Sequence, residues 1–136
     1  MTVARMTVCQ WRGTRVDKDV VSRPTLEQVF DAVRRLDNAV FNDLYLEPDG
    51  SSGDAWLCVG GGAGRYVLTG SISDERFPTL VDPARAGEPS LALVVGGQKG
   101  SYPGNQVHDL NTALEAVRTF WTTERFEEAG LVWLDM

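Results

Sequence analysis

Residues 107–136 read VHDLNTALEAVRTFWTTERFEEAGLVWLDM, and their pattern decides the fold class. Leu110, Ala113, Leu114, Val117, Phe120 and Trp121 recur at i, i+3, i+4 and i+7 intervals, which gather side chains on one face of a 3.6-residue helix. Such a face must be buried against a second layer. Asp109 or Thr112 can cap the first turn, and Glu115 stands three residues after Thr112, as a capping box requires. Beyond the helix, Gly130 precedes Leu131-Val132-Trp133-Leu134, a short β-prone run that returns the chain beside the helix.

Upstream, Pro24-Thr25-Leu26-Glu27-Gln28 marks another helix start, with Thr25 and Gln28 at capping-box spacing. Leu26, Val29, Phe30, Val33, Leu36 and Val40 form its apolar stripe, and Asp37-Asn38 is its expected end. Before it, Thr2 to Trp11 alternates as a strand near a sheet edge, while Arg12 to Arg23 is charged and turn-like. Three extended segments follow, Phe41–Glu47, Ala55–Gly60 and Arg65–Ser71, joined by PDGSSGD and GGAG. Short glycine-rich connections between β-prone runs predict an antiparallel meander rather than βαβ units. Glu75 to Pro89, with Pro78, Pro83 and Pro89, reads as a surface excursion holding at most a short strand at Thr79-Leu80-Val81. The wholly apolar Leu91–Val95 predicts a central strand covered on both faces, and residues 96–104 a loop into the second helix. The expected architecture is α+β, one domain over residues 1–136. It has two layers, a mainly antiparallel twisted sheet packed with two amphipathic helices, and either helix could lie on either sheet face.

The length suits one ordinary core without metal or disulfide staples. A formal charge of -6 argues against direct nucleic-acid binding and suits a basic partner. Cys9 and Cys58 are too few for a disulfide framework and lack CxxC spacing, so two reduced, buried thiols are expected. No apolar h-region and no membrane-length apolar stretch is evident, which places the chain in the cytoplasm without membrane association.

Candidate catalytic patterns are weak. The glycines at 60, 61, 62 and 64 precede a strand rather than the helix a phosphate loop needs, and GGQKG at 96–100 runs into Tyr102-Pro103. His108 stands alone among histidines, without metal-ligand spacing, and is read as a polar residue near a helix start. No serine sits in a GxSxG elbow, and neither cysteine has a recognisable nucleophile context. The expectation is a chain that is not an enzyme and needs no cofactor or metal. Trp56, Trp121 and Trp133 fall on apolar phases and are assigned to the core.

One charge distribution stands out. Between residues 37 and 54 the acids Asp37, Asp43, Glu47, Asp49 and Asp54 occur without a Lys or Arg, whereas Arg5, Arg12, Arg15, Lys18 and Arg23 crowd the N-terminal segment. Tyr45 alternates with Leu44 and Leu46, so if the leucines face the core, Tyr45 faces outward between Asp43 and Glu47. An exposed aromatic inside a charged rim is what an interface hot spot requires. Asp37, Asp43, Tyr45, Glu47, Asp49 and Asp54 are therefore the expected partner-binding residues.

The C-terminal part resembles immunity protein family 1 of bacterial polymorphic toxin systems. The matching residues are LALVVGGQKGSYP at 91–103, VHDLNTALEAV at 107–117, Phe120-Trp121, Glu124-Arg125, and Leu131-Val132-Trp133. The family's helix closes with a Thr-Gly-Glu-Arg-Pro segment; here Thr122-Thr123-Glu124-Arg125-Phe126 stands, with Gly and Pro replaced and a longer connection to Trp133. The resemblance implies an α+β immunity protein that protects the producing cell by binding a toxin, often a nucleic-acid deaminase with a basic active-site cleft. It implies no toxin-contact role for the matching residues themselves. Two other readings stand beside it: a small regulatory domain holding a metabolite between sheet and helices, and, ranked last, an enzyme using carboxylates or Cys58.

Overall fold

The computed structural model describes residues 3–48, 55–73, 75–123, 125–127 and 130–135. The chain is α+β. In order its elements are β1 (Arg5–Arg12), β2 (Arg15–Ser22), α1 (Leu26–Arg35), β3 (Asp43–Glu47), β4 (Ala55–Gly62), β5 (Arg65–Ile72), β6 (Pro78–Val81), β7 (Leu91–Val95), β8 (Gln98–Tyr102), α2 (Leu110–Thr123) and β9 (Val132–Asp135). Seven strands form one sheet in the order β2-β1-β3-β4-β5-β6-β9, every neighbouring pair antiparallel, while β7 and β8 form a separate hairpin. The meander expected from the short connections is the run β3-β4-β5-β6.

Strand pleating sorts the side chains. Met6, Val8, Leu44, Leu46, Leu57, Val59 and Leu68 point to one face, where they share a core with Val29, Phe30 and Val33 of α1 and Ala113, Val117 and Phe120 of α2. Both helices thus cover the same face and touch each other. Burying each large aliphatic side chain here contributes roughly 1.5–3 kcal/mol. The Thr25–Gln28 capping box forms at α1, with the Thr25 hydroxyl accepting from the Gln28 N–H at 3.1 Å. Asp109, not Thr112, caps α2, its carboxylate accepting from the Thr112 N–H at 2.8 Å.

Several expectations are corrected. Arg15–Ser22 is a strand, not a turn, because a two-residue turn at Gly13-Thr14 folds it back along β1. Helix α1 ends at Arg35, so Val40 lies beyond its stripe and is exposed; Asn38 does adopt a left-handed backbone, at φ 61. Leu91–Val95 is no central strand but one arm of the hairpin, and residues 98–102, expected to be loop, are the other arm. The excursion from 75 to 89 carries Pro78–Val81 through the sheet fully buried, leaving only its remainder at the surface. β9 closes the sheet edge against β6, with Trp133 opposite Leu80 on the core side. Among the described residues, no helix is long and apolar enough to cross a membrane.

Candidate functional site

Among the described residues, no helix packs on the sheet's second face. Register places Val20, Thr7, Tyr45, Cys58 and Thr69 in one row across β2, β1, β3, β4 and β5, on the side opposite Leu44 and Leu46. The β7–β8 hairpin covers one end of this face. Val95 packs onto Gly60, and the Gly97 turn presses on the Trp11 ring, so a Cβ at either glycine would collide with the opposing side chain. Two buried or half-buried amides hold the hairpin there. Asn38 Oδ1 accepts from the Val94 N–H at 2.7 Å, and Asn42 Oδ1 from the Gly97 N–H at 3.1 Å.

The uncovered remainder centres on Tyr45 and Trp56, diagonal neighbours on β3 and β4 whose rings meet edge to face at 6.0 Å and 65°. Both are half-buried. Beside them runs a shallow groove of about 360 Å³ lined by Arg5, Thr7, Lys18, Val20, Tyr45 and Glu47. A second hollow of about 320 Å³ adjoins it at Arg5 and Glu47 and reaches Trp56. Trp56, assigned to the core from sequence, is therefore part of the open face. Its phase opposite Leu57-x-Val59 was the available signal, masked because AWLCV reads as one apolar run.

The structure separates the expected partner-binding residues. Tyr45 faces outward with Glu47 at the rim, as the alternation requires. The Glu47 carboxylate is engaged, 2.7 Å from the Arg5 guanidinium across β1 and β3. Asp43 is 1% exposed and accepts from Trp11 Nε1 at 2.8 Å, so its carboxylate is withdrawn from any partner. Asp37 is exposed but organises the turn after α1, one oxygen accepting from the Ala39 and Phe41 N–H groups at 2.9 Å each. Asp49 and Asp54 lie outside the described residues. The continuous acidic surface expected from residues 37–54 is thus not assembled by the described members.

Cys9 and Cys58 are buried and unbridged. Burial, then the Asp43 charge, pushes the Cys9 thiol up to about 11 and the Cys58 thiol up to about 12. A nucleophilic cysteine needs the opposite shift. Burial also raises the Tyr45 phenol above its ordinary range, so it stays a neutral hydroxyl.

A polar cleft of about 420 Å³ lies on another side, between α2 and the chain following β6, walled by His108, Asp82, Arg85, Asp109, Thr112 and Glu115. His108, expected merely near a helix start, is 6% exposed and wedged between β5 and β6. Its backbone exchanges hydrogen bonds with Tyr66 at 2.7 and 2.9 Å, and its Nε2 lies 2.8 Å from the Leu80 carbonyl. Burial chiefly lowers its pKa, favouring neutral imidazole. Arg85 clamps the segment leading to His108, donating to the Gly104 and Val107 carbonyls at 2.6 Å each and to Asp82 at 3.0 Å. Among the described residues, no cluster of three or more His, Cys, Asp or Glu is arranged to hold a metal ion. No protein-family model, curated protein or solved structure matches the chain.

Proposed function

We propose that the chain is an immunity protein that binds a cognate bacterial toxin and inhibits it by steric occlusion, using the open face of its sheet. The observation carrying this reading is the Tyr45–Trp56 pair, two half-buried aromatics at 6.0 Å on the part of the face that, among the described residues, lies beyond both the helices and the hairpin. Aromatic anchors that already lose little freedom on docking dominate protein interfaces. The C-terminal resemblance supplies the class of partner, a toxin acting on nucleic acid, with deaminases foremost. The net charge of -6 favours approach to a protein whose substrate channel attracts phosphate.

The contact surface of this proposal differs from the acidic stretch read from sequence. Asp43 is excluded because it is buried against Trp11. Reversing its charge would place an ammonium in the interior and unfold the chain rather than probe binding. Of the residues expected from sequence, Tyr45 and Glu47 are kept as contact residues, and Trp56, expected in the core, is added to them.

The test is to purify the chain with the toxin domain encoded beside it and to measure both affinity and protection of toxin-expressing cells. Tyr45→Ala and Trp56→Ala should each weaken binding by about tenfold or more, with folding checked by circular dichroism. A folded wild-type protein that neither binds nor protects would overturn the function. Wild-type binding undiminished in both variants would instead move the interface off this face.

A further inference from the structure

The seven-stranded sheet ends on two edges of opposite character, β2 and β9. β2 carries Arg15, Asp17, Lys18 and Asp19, the kind of charge by which natural sheets blunt an edge. β9 lacks these devices. It runs Val132-Trp133-Leu134-Asp135, itself without bulge or proline, and its one charge stands at the end, where Asp135 already meets Arg76 at 3.0 Å. Among the described residues, only β6 exchanges backbone hydrogen bonds with this strand, so the outer row of N–H and C=O groups is unpaired. The side chains agree with the backbone. Val132 and Leu134 lie on the face away from the helices, 37% and 49% exposed, and Phe77 beside the start of β6 is 44% exposed. These are three of the five large hydrophobic side chains left exposed among the described residues, so apolar surface concentrates at this edge. Trp133 Nε1, the buried side-chain donor without a partner among the described residues, belongs to the same strand.

We propose that β9 is the pairing strand of a homodimer, adding antiparallel to β9 of a second copy and joining the two sheets into one. Antiparallel strands related by a two-fold axis keep each sheet face on its own side, so only residues of like pleat stand opposite each other. With Trp133 on the axis, Val132 of each copy is opposite Leu134 of the other, apolar against apolar at both exposed positions. The two Asp135 carboxylates fall at opposite ends of the pair, about 13 Å apart along the strands, and each keeps its own Arg76. This match of the strand to itself, with no like charges opposed, favours a second copy over a strand of another protein. Four residues of β9 from each copy, against the roughly 20–30 of a standard interface, make a transient dimer with a dissociation constant on the order of 100 μM. Trp56 on β4 lies three strands away, so the pairing leaves the open face free and does not rest on the toxin reading.

Sedimentation velocity of the full chain, from about 5 μM to about 500 μM, tests the proposal. The wild type should pass from monomer towards dimer across that range, and Leu134→Lys, a change at an exposed position checked for folding by circular dichroism, should weaken association about tenfold or more. A second measurement reads the register. Under mild oxidation a mixture of Val132→Cys and Leu134→Cys proteins should form a disulfide-linked dimer faster than either variant alone, because only the mixed pair stands directly opposite. A wild type that stays monomeric to about 500 μM, or a folded Leu134→Lys protein that dimerises as the wild type does, would overturn the proposal. So would either cysteine variant cross-linking alone as fast as the mixture, or protection of the β9 amides from hydrogen exchange that arises only when a different protein is added.

Discussion

Asp43 and His108 show how differently two polar side chains act once the chain closes around them. Asp43 looks like a surface acid in sequence, yet it spans β3 to Trp11 of β1 and fastens the end of the sheet on which the hairpin docks. Its neighbour Tyr45, two residues along, keeps its ring half-exposed. His108 is held neutral mainly by burial, with Arg85 also lowering its pKa, while the Leu80 carbonyl, Asp82 and Asp109 oppose the shift. Its folded pKa lies below the unfolded value of 6.5, so its contribution to stability is complete above that pH. As pH falls below 6.5 the unfolded chain takes up a proton that the folded chain refuses, and stability declines until the folded pKa is reached. Urea midpoints measured from pH 8 to 5 should therefore fall in the wild type and fall less in His108→Gln. Asp82 and Asp109, both held below 3.8, act in a separate and lower window.

Among the elements, the connections between strands carry more of the specification than the strands. The β4–β5 turn is Ala63-Gly64, with φ of 54 and 90, both in the left-handed region that a type I′ hairpin turn requires at its two central residues. Glycine tolerates this conformation, whereas alanine is strained there. Ala63 is exposed and its N–H donates to the Leu36 carbonyl at 3.0 Å, an interaction that asparagine keeps. Ala63→Asn should accordingly raise stability by about 1 kcal/mol, read as a higher thermal midpoint with unchanged circular dichroism. The two edges of the sheet differ in the same local sense. β2 carries Arg15, Asp17, Lys18 and Asp19, with Arg12 and Arg15 paired to Asp17, and such a charged edge discourages strand addition. That charge pattern made Arg12–Arg23 resemble a turn, although the Gly13-Thr14 pair between alternating segments already contained the hairpin.

Across the molecule, one sheet face is sealed by helices and the other is divided between a hairpin and open surface, and this division locates both cysteines. Cys9 and Cys58 lie on the hairpin side with their thiols pushed up to about 11 and about 12. At pH 8 each is therefore almost wholly protonated, and labelling by a thiol-specific disulfide reagent should proceed only as fast as the chain unfolds. Rapid labelling of either thiol in native buffer, without loss of structure, would contradict that burial. The single-chain pattern was enough to place α1 and α2, the capping box at Thr25, the meander, and the outward direction of Tyr45. Each depends on periodicity, capping or alternation within a few residues. It was not enough to show that Leu91–Val95 leaves the main sheet, that Trp56 joins Tyr45, or that Asp43 is buried while Glu47 meets Arg5. Nor did it reveal His108 buried between β5 and β6 with its ring against the Leu80 carbonyl. Those facts follow from register and from which layer covers which face, set by contacts between residues far apart in the chain, and only the closed tertiary structure decides them.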